Sequence, residues 1–139
     1  MILLDTSGLL AAMDESQRYH RECAEVLERA SQPFLLSPFV LAELDYLLAR
    51  YIGQDAQIAV LDEVARSAYQ LELFEAHDVA RAKGILGKYR DLEVGLADAS
   101  IVVLAERHAV NEVLTLDQRH FRAMRFDGKR RFKLLPFDR

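Results

Sequence analysis

Four carboxylates stand where a chain can build a reactive site: Asp5, Glu43, Asp98 and Asp117. Asp5 directly follows the apolar run Ile2-Leu3-Leu4, and Asp117 follows Glu112-Val113-Leu114-Thr115-Leu116, so both are expected at the carboxyl ends of strands. In open parallel sheets, ligands bind outside those ends, near the point where strand order reverses. An Asp in such a place also serves simply to cap the turn or helix that follows. Glu43 lies three residues after Val40 and four before Leu47, on or beside the apolar stripe of its helix, where a Glu is seldom found without a partner. Asp98 opens a face continued by Ile101, Val102 and Ala105. The helix dipole favours an acid in the first turn, which accounts for the position of Asp98 but not for its apolar company.

If these four acids converge, like-charge repulsion raises some of their pKa values unless cations are present. A divalent metal resolves the conflict, and an all-oxygen pocket suits Mg²⁺ or Mn²⁺ better than Zn²⁺. The expected chemistry is hydrolysis of a phosphoryl or phosphodiester group, with metal activating water and stabilising the leaving oxygen. Asp91 and Glu93, shortly before Asp98, read as solvated surface.

The elements that must position these acids follow from periodicity. Residues 1 to 4, Phe34 to Leu36, Tyr69 to Phe74 and 112 to 116 read as strands. Helical stripes run through Tyr19, Cys23, Val26, Leu27 and Ala30, through Val40, Leu41, Leu44, Leu47, Leu48 and Tyr51, and through Ile58, Leu61, Val64 and Ala68. Ser37-Pro38 is a helix start, since Ser caps free N–H groups and Pro fits the first turn. A further helix is expected over Asp78 to Tyr89, weakened by Gly84 and Gly87, and a buried one over Leu96 to His108. Residues 118 to 131 read as loop or a short helical turn, with a short final strand near Phe132 to Leu135. Strands alternating with helices imply right-handed crossovers and a three-layer α/β/α sandwich with a mainly parallel central sheet.

With 139 residues, against roughly 150 for a typical domain, the chain is expected to form one domain over 1–139. The lone Cys23 cannot form an internal disulfide, and the longest uncharged stretch, Ala30 to Ala42, is too short to span a membrane and holds Pro33 and Pro38. The apolar N-terminal run meets Asp5 at once, so neither a secretory signal nor a membrane segment is expected, the folded domain is expected to begin at Met1, and the location is expected to be cytoplasmic. Charge is polarised: residues 1 to 118 hold 10 Lys/Arg against 20 Asp/Glu, whereas 119 to 139 hold 8 against 2. The cluster Arg119, Arg122, Arg125, Lys129, Arg130, Arg131 and Lys133 is either a solvated tail or a phosphate-binding surface.

Four strings, Leu3-Leu4-Asp5-Thr6-Ser7, Leu36-Ser37-Pro38-Phe39-Val40-Leu41-Ala42-Glu43, Leu96-Ala97-Asp98-Ala99-Ser100 and Leu114-Thr115-Leu116-Asp117 continuing into Arg119-His120-Phe121, resemble in their order and spacing the PIN-domain ribonucleases, and within them the VapC-type toxins of bacterial toxin–antitoxin pairs. The resemblance runs the whole chain. It implies that Asp5, Asp98 and Asp117 hold Mg²⁺ or Mn²⁺ directly or through water, with Glu43 orienting water or a second metal. The implied activity is endonucleolytic cleavage of structured RNA, often a transfer or ribosomal RNA loop. It also implies a homodimer and a cognate VapB-like antitoxin packing over the active site. Ser7 and Thr115 resemble hydroxyl positions that steady the site, although capping or plain burial serves each equally well. Arg119 and Arg122 are the expected RNA contacts. His20 is read as structural, and His77, His108 and His120 show no zinc-ligand spacing, His120 being at most an RNA contact.

Two rival readings remain open at this point. One is a small Mg-dependent phosphatase with Asp5 as nucleophile, although Ser7 stands where a second Asp is usual. The other is a non-catalytic PIN-like module that binds RNA or protein, against which the complete quartet argues.

Overall fold

The computed structural model describes residues 1–138. Ile2–Leu4 forms β1, followed by α1 (Thr6–Met13), α2 (His20–Arg29), β2 (Phe34–Leu36) and α3 (Pro38–Leu47). The last of these runs on into a π-helical turn, Leu48–Ile52. Then come α4 (Gln54–Ala65), β3 (Gln70–Leu71), α5 (Ala76–Lys88), a 3-10 turn (Arg90–Leu92) and α6 (Leu96–His108). The chain closes with β4 (Glu112–Leu114), α7 (Gln118–Ala123), β5 (Arg125–Phe126), β6 (Arg130–Arg131) and β7 (Lys133–Leu135).

Five strands pair in the order β3-β2-β1-β4-β7, every pair parallel, and β5 with β6 forms a separate antiparallel hairpin. The order reverses between β1 and β4, since the chain steps outward through β2 and β3 on one side and through β7 on the other. Right-handed crossovers then place α1 to α4 on one face and α5 to α7 on the other, which is the expected three-layer arrangement. Leu3, Leu4, Leu35, Leu36, Val113 and Leu114 fill the sheet's share of the core, against Leu9, Val40, Leu44, Ile101 and Val102 from the helices.

Several elements differ from expectation, each for a local reason. The helix α1 shows no stripe in the sequence because it is apolar on most sides and buries Thr6, Gly8, Leu9 and Ala11. Gly8 lets it press on β4: a Cβ there would lie 2.4 Å from the Leu114 carbonyl oxygen. The strand expected over Tyr69 to Phe74 shrinks to two residues. This edge strand has only β2 as neighbour, and Phe74 leaves it to pack edge-on against Phe39, ring centroids 5.3 Å apart. The strand over 112 to 116 ends at Leu114; Thr115 still donates its N–H to the Leu135 carbonyl at 3.0 Å while its hydroxyl turns to Asp5. Residues 118 to 131 form α7 and the β5–β6 hairpin, whose turn carries Asp127 and Gly128 at φ 48° and 84°, a conformation these two residue types accept readily.

Candidate active site

Asp5, Glu43, Asp98 and Asp117 line one open cavity of about 300 Å³ at the carboxyl ends of β1 and β4, where strand order reverses. Thr6, Ser7, Leu10, Leu47 and His120 complete its wall, and among the described residues no Lys or Arg lines it. A larger recess, about 800 Å³, lies beside the amino ends of β2 and β3 and holds no carboxylate or basic group among its lining residues.

Asp5 is buried at the end of β1 and is the best-braced of the four. Its Oδ2 accepts hydrogen bonds from Thr115 Oγ1 at 2.6 Å and Ser7 Oγ at 2.9 Å. The two hydroxyls are 3.2 Å apart, and each also accepts a backbone N–H: Leu116 N donates to Ser7 Oγ and Asp117 N to Thr115 Oγ1, both at 2.9 Å. The loop after β4 is thereby moulded onto Asp5, which is possible only because Gly8 lets α1 lie against Leu114. Burial, opposed by the Thr115 and Ser7 bonds and reinforced by the charge of Asp98, pushes the Asp5 carboxyl up to about 7.

Asp98, in the first turn of α6, accepts from Gly95 N at 3.0 Å. Its pKa is also raised, chiefly by burial; the Gly95 bond and His120 lower it, while Asp117 and Glu43 raise it. The position of α6 is pinned by a buried hydroxyl pair: Ser100 Oγ lies 2.6 Å from Ser37 Oγ, and Ser37 caps α3 by accepting from Phe39 N at 3.1 Å. One contact therefore ties the helix that carries Asp98 to the helix that carries Glu43. Glu43 itself is exposed and lies beside the apolar stripe of its helix, one of the two places its spacing allowed. Val40, Leu44 and Leu48 form the buried edge of that helix, and Glu43, one residue from Leu44, is rotated about 100° away toward the cavity.

Asp117 caps α7, its Oδ1 accepting from His120 N at 3.0 Å. Its other oxygen lies 2.7 Å from His120 Nδ1, which is 3.6 Å from Asp98 Oδ2. The place of His120 in the site was not shown by sequence spacing; the visible signal was a His three positions after an acid, hence on the same face of a short helix. Thr6 was also missed, and its buried hydroxyl has no hydrogen-bond partner among the described residues.

Arg119 and Arg122 do not line the cavity. Arg122 is engaged by Asp138, with nitrogen–oxygen distances of 2.6 and 2.8 Å, and donates to Gln118 Oε1 at 3.2 Å. Arg125 donates to the Arg122, Ala123 and Met124 carbonyls at the end of α7, and the Arg130 guanidinium lies 4.8 Å from the centre of the Phe126 ring. Much of the basic cluster is thus occupied by the fold itself, while Arg119 stands exposed on α7 without an ion-pair partner among the described residues.

The arrangement suits a divalent cation: carboxylates from four elements converge without a neutralising Lys or Arg among the described residues, two of them hold raised pKa values, and the buried Thr6 hydroxyl oxygen in the wall is unpartnered among those residues. Asp98, Asp117 and His120 offer ligand atoms all within 4.8 Å of one another.

Residues 2–127 match the family model of the PIN domain. The chain is 42% identical over 135 residues to Ribonuclease VapC26 of Mycobacterium tuberculosis, covering 97% of this chain and all of that protein. Among solved structures it is similar to Mycobacterium tuberculosis VapC20, a Sarcin-Ricin loop cleaving toxin, with TM-score 0.79 and 20% identity over 84% of this chain and 90% of that one. A toxin–antitoxin complex from Klebsiella pneumoniae gives TM-score 0.67 and 21% identity, covering 89% and 92% of the two chains. FitAcB from Neisseria gonorrhoeae gives 0.61 and 22%, covering 87% and 91%.

Proposed function

Because this chain belongs to the PIN domain family, we propose that it is a VapC-type ribonuclease toxin, a metal-dependent endoribonuclease acting on structured RNA of the transfer or ribosomal kind. The observation that carries this reading is the meeting of Asp5, Glu43, Asp98 and Asp117 in one cavity at the strand-order reversal. These carboxylates would hold Mg²⁺ or Mn²⁺, which would supply Lewis-acid activation of water and charge neutralisation at the phosphate.

The chain's own residues divide the remaining work. Asp5, braced by Ser7 and Thr115, supplies a fixed charge at the floor; Asp98 and Asp117 supply further charge from α6 and α7; exposed Glu43 faces the side from which RNA enters and orients water. Arg119 offsets the charge of the incoming backbone. The remaining parts of the reading are a cognate VapB-like antitoxin, a homodimer, a cytoplasmic location and one nuclease domain over 1–139. The antitoxin is supported by the toxin–antitoxin complex from Klebsiella pneumoniae among the similar structures. No helix of the described residues is long and apolar enough to cross a membrane.

The test is a map of RNA ends after brief induction in cells, comparing wild type with Asp98→Asn. Cuts at discrete positions that vanish in the variant, and that EDTA abolishes with purified protein, are expected. Equal cleavage in EDTA and in Mg²⁺ would overturn the mechanism.

A further inference from the structure

His120 presents its two ring nitrogens to very different surroundings. Nε2 lies 2.8 Å from the Leu92 carbonyl oxygen in the 3-10 turn before α6. A carbonyl can only accept, so Nε2 carries a proton. Nδ1 is then the atom turned to the cavity, 2.7 Å from Asp117 Oδ2 and 3.6 Å from Asp98 Oδ2. It is buried and makes no aligned hydrogen bond. In a neutral ring its lone pair would face two carboxylates, an arrangement that repels until a second ring proton or a metal cation comes between them.

Building on the metal-dependent reading above, we infer that His120 Nδ1 is a direct ligand of the divalent ion, completing a nitrogen–oxygen donor set with Asp98 and Asp117. The ligand atoms are already within 4.8 Å of one another. The Leu92 bond is the support that ligating histidines characteristically have: it fixes the tautomer and the ring plane. An imidazole donor shifts the site away from pure oxygen coordination, so the ion preferred here is Mn²⁺ over Mg²⁺.

The experiment is pulsed electron paramagnetic resonance on the full chain loaded with one equivalent of Mn²⁺, with calorimetric titration of Mn²⁺ and Mg²⁺ in parallel. Nitrogen modulation from a bound imidazole is expected in wild type and absent in His120→Gln, with Mn²⁺ affinity falling at least tenfold and Mg²⁺ affinity falling less. As a measurement that needs no variant, substoichiometric Mn²⁺ should broaden the ring proton resonances of His120 before those of His20, His77 and His108. Tight Mn²⁺ binding without nitrogen modulation, or modulation that persists in His120→Gln, overturns this inference and leaves a carboxylate metal site standing. No Mn²⁺ binding at all overturns both.

Discussion

Thr115 Oγ1 donates to Asp5 Oδ2 across 2.6 Å, joining residues 110 positions apart in the chain. The same hydroxyl accepts from Asp117 N, so one side chain sets the relation between two acids of the quartet. Thr115→Val keeps the shape and removes the hydroxyl. We expect divalent affinity to fall about 10- to 100-fold, as for lost support of a metal ligand, with roughly 1–3 kcal/mol of stability lost from the unsatisfied groups. Calorimetric titration and denaturant unfolding measure the two effects; unchanged metal affinity would make Thr115 a packing residue only.

Gly8 marks the closest approach of α1 to β4. A Cβ would meet the Leu114 carbonyl oxygen at 2.4 Å, its carbon at 2.7 Å and its Cγ at 2.8 Å, and backbone cannot swing aside as a side chain does. Gly8→Ala is therefore expected to destabilise by about 1–3 kcal/mol even though Ala favours helices. Because α1 carries Ser7, cleavage should fall more than stability alone accounts for. Gly87→Ala, where a Cβ meets nothing within 4 Å, is the control and should be neutral or stabilising.

The Asp5 carboxyl, raised by burial from 3.8 to about 7, gives the metal-free protein a pH dependence of defined sign. Between those values the folded chain holds a proton that the unfolded chain has released, so stability is fully present below the lower value and declines as pH rises through the window. The loss is on the order of 1–4 kcal/mol, each pKa unit being worth about 1.4 kcal/mol. Asp5→Asn cannot titrate and should flatten this slope, making the metal-free variant more stable than wild type above pH 7 while abolishing cleavage. Thermal melts across pH in EDTA check it; an unchanged slope would show that Asp5 stays ionised.

Arg119 and Arg122 sit on one short helix but are predicted to behave differently. Arg119→Ala should weaken RNA binding and reduce its salt slope by roughly 0.7, the loss of one phosphate contact on a single strand. Arg122 is held by Asp138, whose Oδ2 also accepts from Leu134 N at 2.9 Å. Its replacement by Ala should cost at most about 1 kcal/mol of stability, as for an exposed ion pair, and leave the salt slope as it was. Filter binding across a salt series separates them, and identical slopes for wild type and Arg119→Ala would remove Arg119 from the RNA surface.

Much of the site was legible because its residues break local rules. An acid directly after an apolar run, or at the head of a helix that is otherwise all core, is conspicuous, and the structure brings all four such acids to one cavity. Strand and helix identities also followed from periodicity, with Leu96 to His108 matching α6 at both ends. What failed was local pattern without periodicity. The first helix has no polar face to give it a stripe, and the Asp127-Gly128 turn was hidden among arginines. For Glu43 the spacing left two places open, on the apolar stripe or beside it, because a difference of one residue, some 100° around a helix, separates a core position from a cavity position.

The sequence by itself determined which residue types were on hand and their places along each element: acids at strand ends and helix starts, Ser37 to cap α3, a glycine at position 8. Only the tertiary structure decided that β1 lies beside β4, so that Asp5 and Asp117 face one crevice, and that the turn at Leu92 reaches the His120 ring. The physical reason is that periodicity reports how a segment divides core from solvent, which each stretch carries in its own residues. Strand order and the pairing of distant hydroxyls, as between Thr115 and Asp5, depend on contacts across more than a hundred residues, and no local window contains both partners.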